Sequence, residues 1–246
     1  MADPAQSRFR LPHWGWFLLA TVVLVIGSVG LSVWLPWHRE QQVIQVIEGW
    51  GGKVDTQTGG PDWLWQLLGK DRMTEFKVFD RVSYVQLDYM EITDAEIARL
   101  STLTNLKGLS LDVTAVTDSS LAHLSRLPNL NSLSLIRTST TDSGLAHLSR
   151  MTNLKLLLLN GSTAVTDKSL AHLSRLTKLR SLSLRNTAVT DAGLNHLKRM
   201  KQMVRLAATG TRVTEAGAQQ LAAALPQCKI EWDGGVIEPT RATDPE

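Results

Sequence analysis

An acidic residue that follows a threonine returns along this chain with a near-constant stride. Asp94, Asp118, Asp142, Asp167 and Asp191 close Ile-Thr, Val-Thr or Thr-Thr steps at intervals of 24, 24, 25 and 24, and Glu215 takes the sixth place another 24 residues on. A period of this length marks a solenoid, in which each unit buries its apolar face only by stacking on its neighbours.

The unit resolves into two elements. Apolar side chains lie 12, 9 and 7 residues before each acid, as in Leu106, Leu109 and Leu111 or Leu179, Leu182 and Leu184. The last two alternate with polar neighbours, which reads as a short strand with Ser110, Ser134 and Ser183 turned away from the core. Leucine or methionine 3, 6 and 9 residues after each acid, as in Leu121, Leu124 and Leu127, traces one stripe of a helix. Thr117 and Asp118, with their equivalents, stand where a helix start needs a side-chain acceptor, so capping is their expected role. Thr114, Thr138, Thr163, Thr187 and Thr211 recur four residues before each acid, where a buried hydroxyl satisfies the turn.

Strands pair about 4.8 Å apart, whereas packed helices need roughly 8–10 Å, so stacking these units bends the array with its strands inside. The expected fold is α/β: a right-handed horseshoe of strand-helix units with a parallel concave sheet. The pattern L-x-x-L-x-L-x-x-T-x-V-T-D-x-x-L-x-x-L-x-x-L over residues 82–232 resembles a leucine-rich repeat of the ribonuclease-inhibitor-like type. Ahead of it, Gly51-Gly52-Lys53-Val54, Gly60-Pro61-Asp62-Trp63-Leu64 and Leu67-Leu68-Gly69 resemble the segment preceding the repeats in membrane-anchored bacterial leucine-rich repeat proteins of the planctomycete type. The resemblance implies an interaction role and no reaction.

A solenoid needs caps at both ends. Residues 38–81 are assigned to the first: Val43, Ile44, Ile47 and Trp50 keep helical spacing up to Gly51-Gly52, and Trp63, Leu64, Leu67 and Leu68 form a second short helix entered through Pro61 and closed by Gly69. Ala218, Leu221 and Leu225 with Ile230 and Trp232 form the second cap inside the solenoid, residues 82–232. Residues 233–246, rich in Gly, Pro, Thr and Glu, read as a disordered tail. Cys228 is the single cysteine, so no intrachain disulfide exists; a packed cap thiol is the reading.

From Leu11 to Trp37 no residue carries a fixed charge, and as a helix this stretch is about 40 Å long against a hydrocarbon core of roughly 30 Å. Trp14 and Trp16 at one end and Trp34 and Trp37 at the other match interfacial aromatic belts. The stretch exceeds the apolar region of a cleaved signal peptide, whose small-x-small site Ser28-Val29-Gly30 would offer. Residues 11–37 are therefore read as an uncleaved transmembrane signal-anchor helix making the chain single-pass. Arg8 and Arg10 place residues 1–10 as a cytoplasmic tail and the solenoid outside, periplasmic in a bacterium.

Little points to chemistry. His123, His147, His172 and His196 form a ladder, yet equivalent convex positions lie roughly 10 Å apart while zinc needs donors at about 2.0–2.1 Å. Arg126, Arg150, Arg175 and Arg199 beside them repel a cation, so a solvated helix face is the reading and no metal, cofactor or catalytic residue is assigned. A formal charge of +3 and interspersed acids give no single-sign field for nucleic acid.

Recognition is assigned to the concave face, whose residues 10, 8 and 6 places before the acid vary between units. Tyr84, Gln86, Asp88 and Asp112 make an acidic flank, Ile136, Leu156 and Leu158 an apolar centre bordered by Asn160, and Arg185 and Arg205, with Lys229 and Glu231, a mainly basic one. Leu156 and Leu158 fill positions that are never leucine elsewhere, and the one-residue insertion around Asn160-Gly161-Ser162 falls in the same unit. The expected function is a membrane-anchored extracytoplasmic module binding a protein, peptide or envelope polymer there. Alternatives are a self-associating homo-oligomeric envelope component and, with topology reversed, a cytoplasm-facing scaffold. Protease added to intact spheroplasts is expected to remove the repeats and leave the first 37 residues with the membrane; complete protection would reverse the orientation.

Overall fold

The computed structural model describes residues 13–240. The expected tail 1–10, the first two residues of the expected span and residues 241–246 lie outside it. The chain begins as one helix, α1, His13–Gly49, with Pro36 inside. The stretch expected to be an anchor and the first cap helix, expected as separate elements, are thus one continuous helix over the described residues. Most side chains between 13 and 33 lie outside the described ones, and among the described residues no helix is long and apolar enough to cross a membrane.

After α1 come β1 (Lys53–Thr58), α2 (Asp62–Met73), a 3₁₀ turn at Lys77–Phe79 and β2 (Asp80–Gln86). The regular part alternates α3 (Asp94–Leu100), β3 (Gly108–Ser110), α4 (Asp118–Leu124), β4 (Ser132–Ser134), α5 (Asp142–Leu148), β5 (Leu156–Leu158), α6 (Asp167–Leu173), β6 (Ser181–Ser183), α7 (Asp191–Leu197) and β7 (Arg205–Ala207). It ends with α8 (Glu215–Ala224), β8 (Lys229–Trp232) and β9 (Gly235–Ile237). All nine strands form one sheet in chain order. β2 to β8 run parallel, while β1 and β9 lie antiparallel on the two outer edges.

The register places leucine on leucine. Leu109, Leu133, Leu157, Leu182 and Leu206 face one another across the ladder, and none is more than 1% exposed. Leu121, Leu145, Leu170 and Leu194 come down onto them from the helices, equally buried. Each such side chain contributes about 1.5–3 kcal/mol. The repeat helices last only seven residues, so the third residue of each stripe, Leu127 or Leu176, is buried from the turn that follows.

The threonine and the acid divide the work expected of both. Thr117, Thr141, Thr166 and Thr190 are the N-caps, each Oγ1 accepting from the backbone N–H two residues on at 3.2–3.3 Å. The acid instead reaches the next unit: Asp118 accepts from Thr141 N at 2.8 Å and Thr141 Oγ1 at 2.6 Å, and Asp142 from Thr166 N at 2.9 Å and Thr166 Oγ1 at 2.6 Å. Asp167 and Asp191 hold Thr190 and Thr214 the same way. From Asp118 on, a small residue sits two places after each acid, against the acid of the unit before. At Ser120 and Ser169 the buried hydroxyl donates to the carboxylate of the previous unit, Asp94 or Asp142. At Gly193 a Cβ would lie 2.3 Å from Asp167 Oδ1.

Two expectations need correction. Thr163 is exposed; Ser162 takes its buried place, donating to Leu135 O at 3.2 Å, while Thr114, Thr138, Thr187 and Thr211 close their turns as expected. The inserted residue therefore lies in Thr163-Ala164, because Gly161 (φ 74) keeps the left-handed position occupied in other units by Tyr89, Val113, Arg137 and Asn186. The tail expected to be disordered from 233 on pairs as β9, and Thr240 N donates to Pro226 O at 2.8 Å. Its ordering comes from the open edge of β8, which composition does not register. Gly69 closes the first stretch of α2 as expected (φ 76, ψ 167), a second helical stretch follows it to Met73, and Leu67 is 71% exposed.

The second half of α1 covers the start of the sheet at β1 and β2. Ile47 is fully buried, Glu40 Oε2 accepts from Val82 N at 3.0 Å, and Gly52 brings the backbone so close that a Cβ would lie 2.6 Å from Leu87 Cδ2. Cys228 is buried at the other end, which pushes its thiol up to about 12.

Burial raises the Asp142 carboxyl, but the hydrogen bonds from Ser169 and Thr166 outweigh it and hold the group below its ordinary 3.8. A depressed carboxyl stabilises the fold fully above the unfolded value and loses that contribution as pH falls through the folded one. Asp142→Ala is expected to cost about 1–3 kcal/mol near neutrality, and Asp142→Asn to flatten the fall of the urea midpoint below pH 3.8; chemical denaturation as a function of pH measures both.

Candidate functional site

The strand register turns alternate residues to the inner face. Leu157 is fully buried, while Leu156 and Leu158 beside it stand half-exposed on the opposite side of the sheet. The same alternation brings Tyr84, Gln86, Asp88, Asp112, Ile136, Asn160, Arg185 and Arg205 to that face, none of them buried.

Its first half is polar and largely self-satisfied. Asp88 Oδ1 accepts from Ser110 Oγ at 2.5 Å and Asp112 N at 3.0 Å; Asp112 Oδ1 accepts from Ser134 Oγ at 2.5 Å and Ile136 N at 2.9 Å. Gln86 Nε2 donates to Asp88 Oδ2 at 2.6 Å. Asn160 repeats the rung on Ser183 at 2.5 Å and Arg185 N at 3.2 Å. These bonds explain why Ser110, Ser134 and Ser183, although turned from the apolar core, are only 4–8% exposed. Asp88, Asp112 and Asn160 thus join neighbouring units as well as facing the hollow. The signal was in the sequence: an Asp or Asn is followed by a serine 22 residues later, or 23 across the insertion.

The Tyr84 ring lies across Gly108, where a Cβ would approach Tyr84 Cδ2 to 2.3 Å. Burial raises the phenol above its usual value, and Asp88, Asp112 and Asp55 add to this against a hydrogen bond with Ser110.

The polar rung is broken between β6 and β7, where Arg185 and Ala207 hold its two places, and between β4 and β5. Ile136 and Leu158 occupy the places of the Asp and the Ser, so no carboxylate bridges β4 and β5 there. Beyond that step a hollow of about 340 Å³ opens, floored by Leu156, Leu158 and Ala207 and walled by Asn160, Ser181, Ser183, Arg185 and Arg205. Glu231 holds both cations: Arg185 Nη2 is 2.6 Å from its Oε2 and Arg205 Nη2 is 2.9 Å from its Oε1. Lys229 pairs with Glu238 at 2.8 Å. Two guanidinium groups share one carboxylate, so the wall keeps a net positive charge with most of its donors uncommitted to that pair. Five of the ten predicted residues meet here, Leu156, Leu158, Asn160, Arg185 and Arg205; Tyr84, Gln86, Asp88, Asp112 and Ile136 lie on the earlier strands outside it.

On the convex side His147, His172 and His196 are exposed and His123 half-exposed. Among the described residues no group of three or more His, Cys, Asp or Glu side chains is arranged to hold a metal ion.

No protein-family model matches the chain, and no curated protein does. Solved structures do. An internalin (inlF) from Listeria monocytogenes is similar with a TM-score of 0.51 and 22% sequence identity, over 60% of this chain and 40% of that one. An internalin C2 (inlC2) from the same organism gives 0.46 and 23%, over 61% of this chain and 70% of that one. The chain spans less than half the length of the first of these. Internalins are leucine-rich repeat proteins; with the parallel strand-helix sheet, the likeness shows a leucine-rich repeat solenoid.

The face assignment has a direct thermodynamic signature. Leu157→Ala is expected to cost about 2–5 kcal/mol as a buried cavity forms, and Leu158→Ala less than about 1 kcal/mol, as read from urea denaturation of the two variants.

Proposed function

We propose that this chain is a membrane-anchored interaction module whose inner face captures a partner protein at the hollow between β5 and β7. One observation carries the reading: the polar rung that seals the face is replaced by Ile136 and Leu158 at the step beside a cationic wall. Sealing the face with leucine serves no internal bond, and apolar side chains grouped on a strand surface mark contact sites. The floor suits an aliphatic side chain, and the Arg185 and Arg205 donors suit a carboxylate next to it. The partner is accordingly a segment pairing a branched aliphatic residue with an acidic one.

Anchoring rests on the sequence: the uncharged stretch from Leu11 to Trp37, tryptophans at its two ends and the resemblance to anchored bacterial leucine-rich repeat proteins. The basic residues ahead of it favour an extracytoplasmic solenoid. In this arrangement the hollow meets envelope proteins held near the same surface.

Site-specific photo-crosslinking in cells tests the reading, with p-benzoylphenylalanine replacing Ile136. A discrete heterologous adduct is expected, lost on Leu158→Asp while the circular dichroism of the purified variant is unchanged. An adduct indifferent to Leu158→Asp, or one made only with a second copy of this chain, would overturn it.

A further inference from the structure

A second recess lies on another side of the sheet, at the rim where the chain enters each strand. It has a volume of about 460 Å³, and among the described residues its lining is asparagine and lysine alone. In a chain with 26 basic and 23 acidic residues, a recess without a carboxylate is a local excess of one sign. The residue just before successive strands is Lys107, Asn131, Lys155 and then Arg180, a column continuing past the recess, and Lys107, Lys155 and Arg180 are exposed. Lys178 closes the far end. None of these cations makes an ion pair among the described residues: Lys107 Nζ donates to Gln57 Oε1 at 2.7 Å and Lys178 Nζ to Asn153 Oδ1 at 2.8 Å, both neutral acceptors.

Spacing decides the class of ligand. Successive strands are about 4.8 Å apart, so Lys107 and Lys155, two strands apart with an amide between, sit roughly 10 Å apart at their backbones. A nucleic-acid strand carries a phosphate about every 3.4 Å, a density that this column undershoots about threefold, and no aromatic ring lines the recess to stack a base. A polymer whose charges alternate with hydroxyl-bearing stretches fits: carboxylates against lysines, hydroxyls against the amide of Asn131.

We infer that this rim binds a linear acidic polysaccharide in which uronates alternate with neutral sugars, independently of the inner hollow. The lysines supply charge without fixed geometry, and the asparagine amide supplies a donor and an acceptor for sugar hydroxyls.

Hyaluronate, in which uronates alternate with neutral sugars, neutral dextran and a poly-dT oligonucleotide are titrated against the full-length chain by calorimetry. Hyaluronate is expected to bind, weakening with salt, and dextran not to bind. Lys107→Ala with Lys155→Ala is expected to cost roughly tenfold in affinity, whereas the convex pair Arg150→Ala with Arg175→Ala, equal in charge lost, leaves binding unchanged. Asn131→Lys, which fills the gap in the column, is expected to tighten binding several-fold. No binding by the unaltered chain, equal loss in the two double variants, poly-dT held as tightly as hyaluronate, or no gain on Asn131→Lys would each overturn the inference.

Discussion

The carboxylate that reaches from one helix start to the next holds the register of this stack. Leucine burial is strong but has no direction, and a column of identical leucines tolerates sliding by a fraction of a turn. The pair of bonds from Asp118, Asp142, Asp167 or Asp191 to a threonine of the following unit does not, because one oxygen takes the backbone N–H and the other the hydroxyl. That fixed offset aligns the strands residue for residue and makes the inner face a surface of defined composition.

The inner face then carries two regimes. From β2 to β4 carboxylates and serines bond each other and leave little unsatisfied; beyond β4 the rung survives only as Asn160 with Ser183, and Leu158, Arg185 and Ala207 fill the other places. The change comes between Ile136 and Leu158, the latter in the unit that absorbs the extra residue at Thr163-Ala164 without altering the left-handed turn at Gly161. The scaffold is therefore the same on both sides of the step, and only the chemistry presented to solvent differs.

The stack was legible because its leucines repeat, and periodic burial is the signal a sequence states most plainly. Leu157 inside and Leu158 outside follow from strand alternation alone. What escaped was pairing between units. Asp88, Asp112 and Asn160 look like free recognition groups until the strands are set side by side and Ser110, Ser134 and Ser183 come within reach. β1 and β9 escaped for a related reason: Lys-Val-Asp-Thr-Gln-Thr and Gly-Val-Ile carry almost no apolar pattern, and their order is lent by the edges they cover. The position of the inserted residue could not be read either, since Ser162 and Thr163 offer the same hydroxyl.

Helix α1 runs through Pro36 to Gly49, and only Trp50-Gly51-Gly52 separates it from β1. Proline there removes one intrahelical bond without ending the element. Glu40 on the Val82 amide and Ile47 in the core clamp its far end. Helix and solenoid consequently turn as one piece, so twisting the first part steers the mouth of the horseshoe: whatever grips residues near Trp34 sets the compass bearing of the leucines more than a hundred residues away.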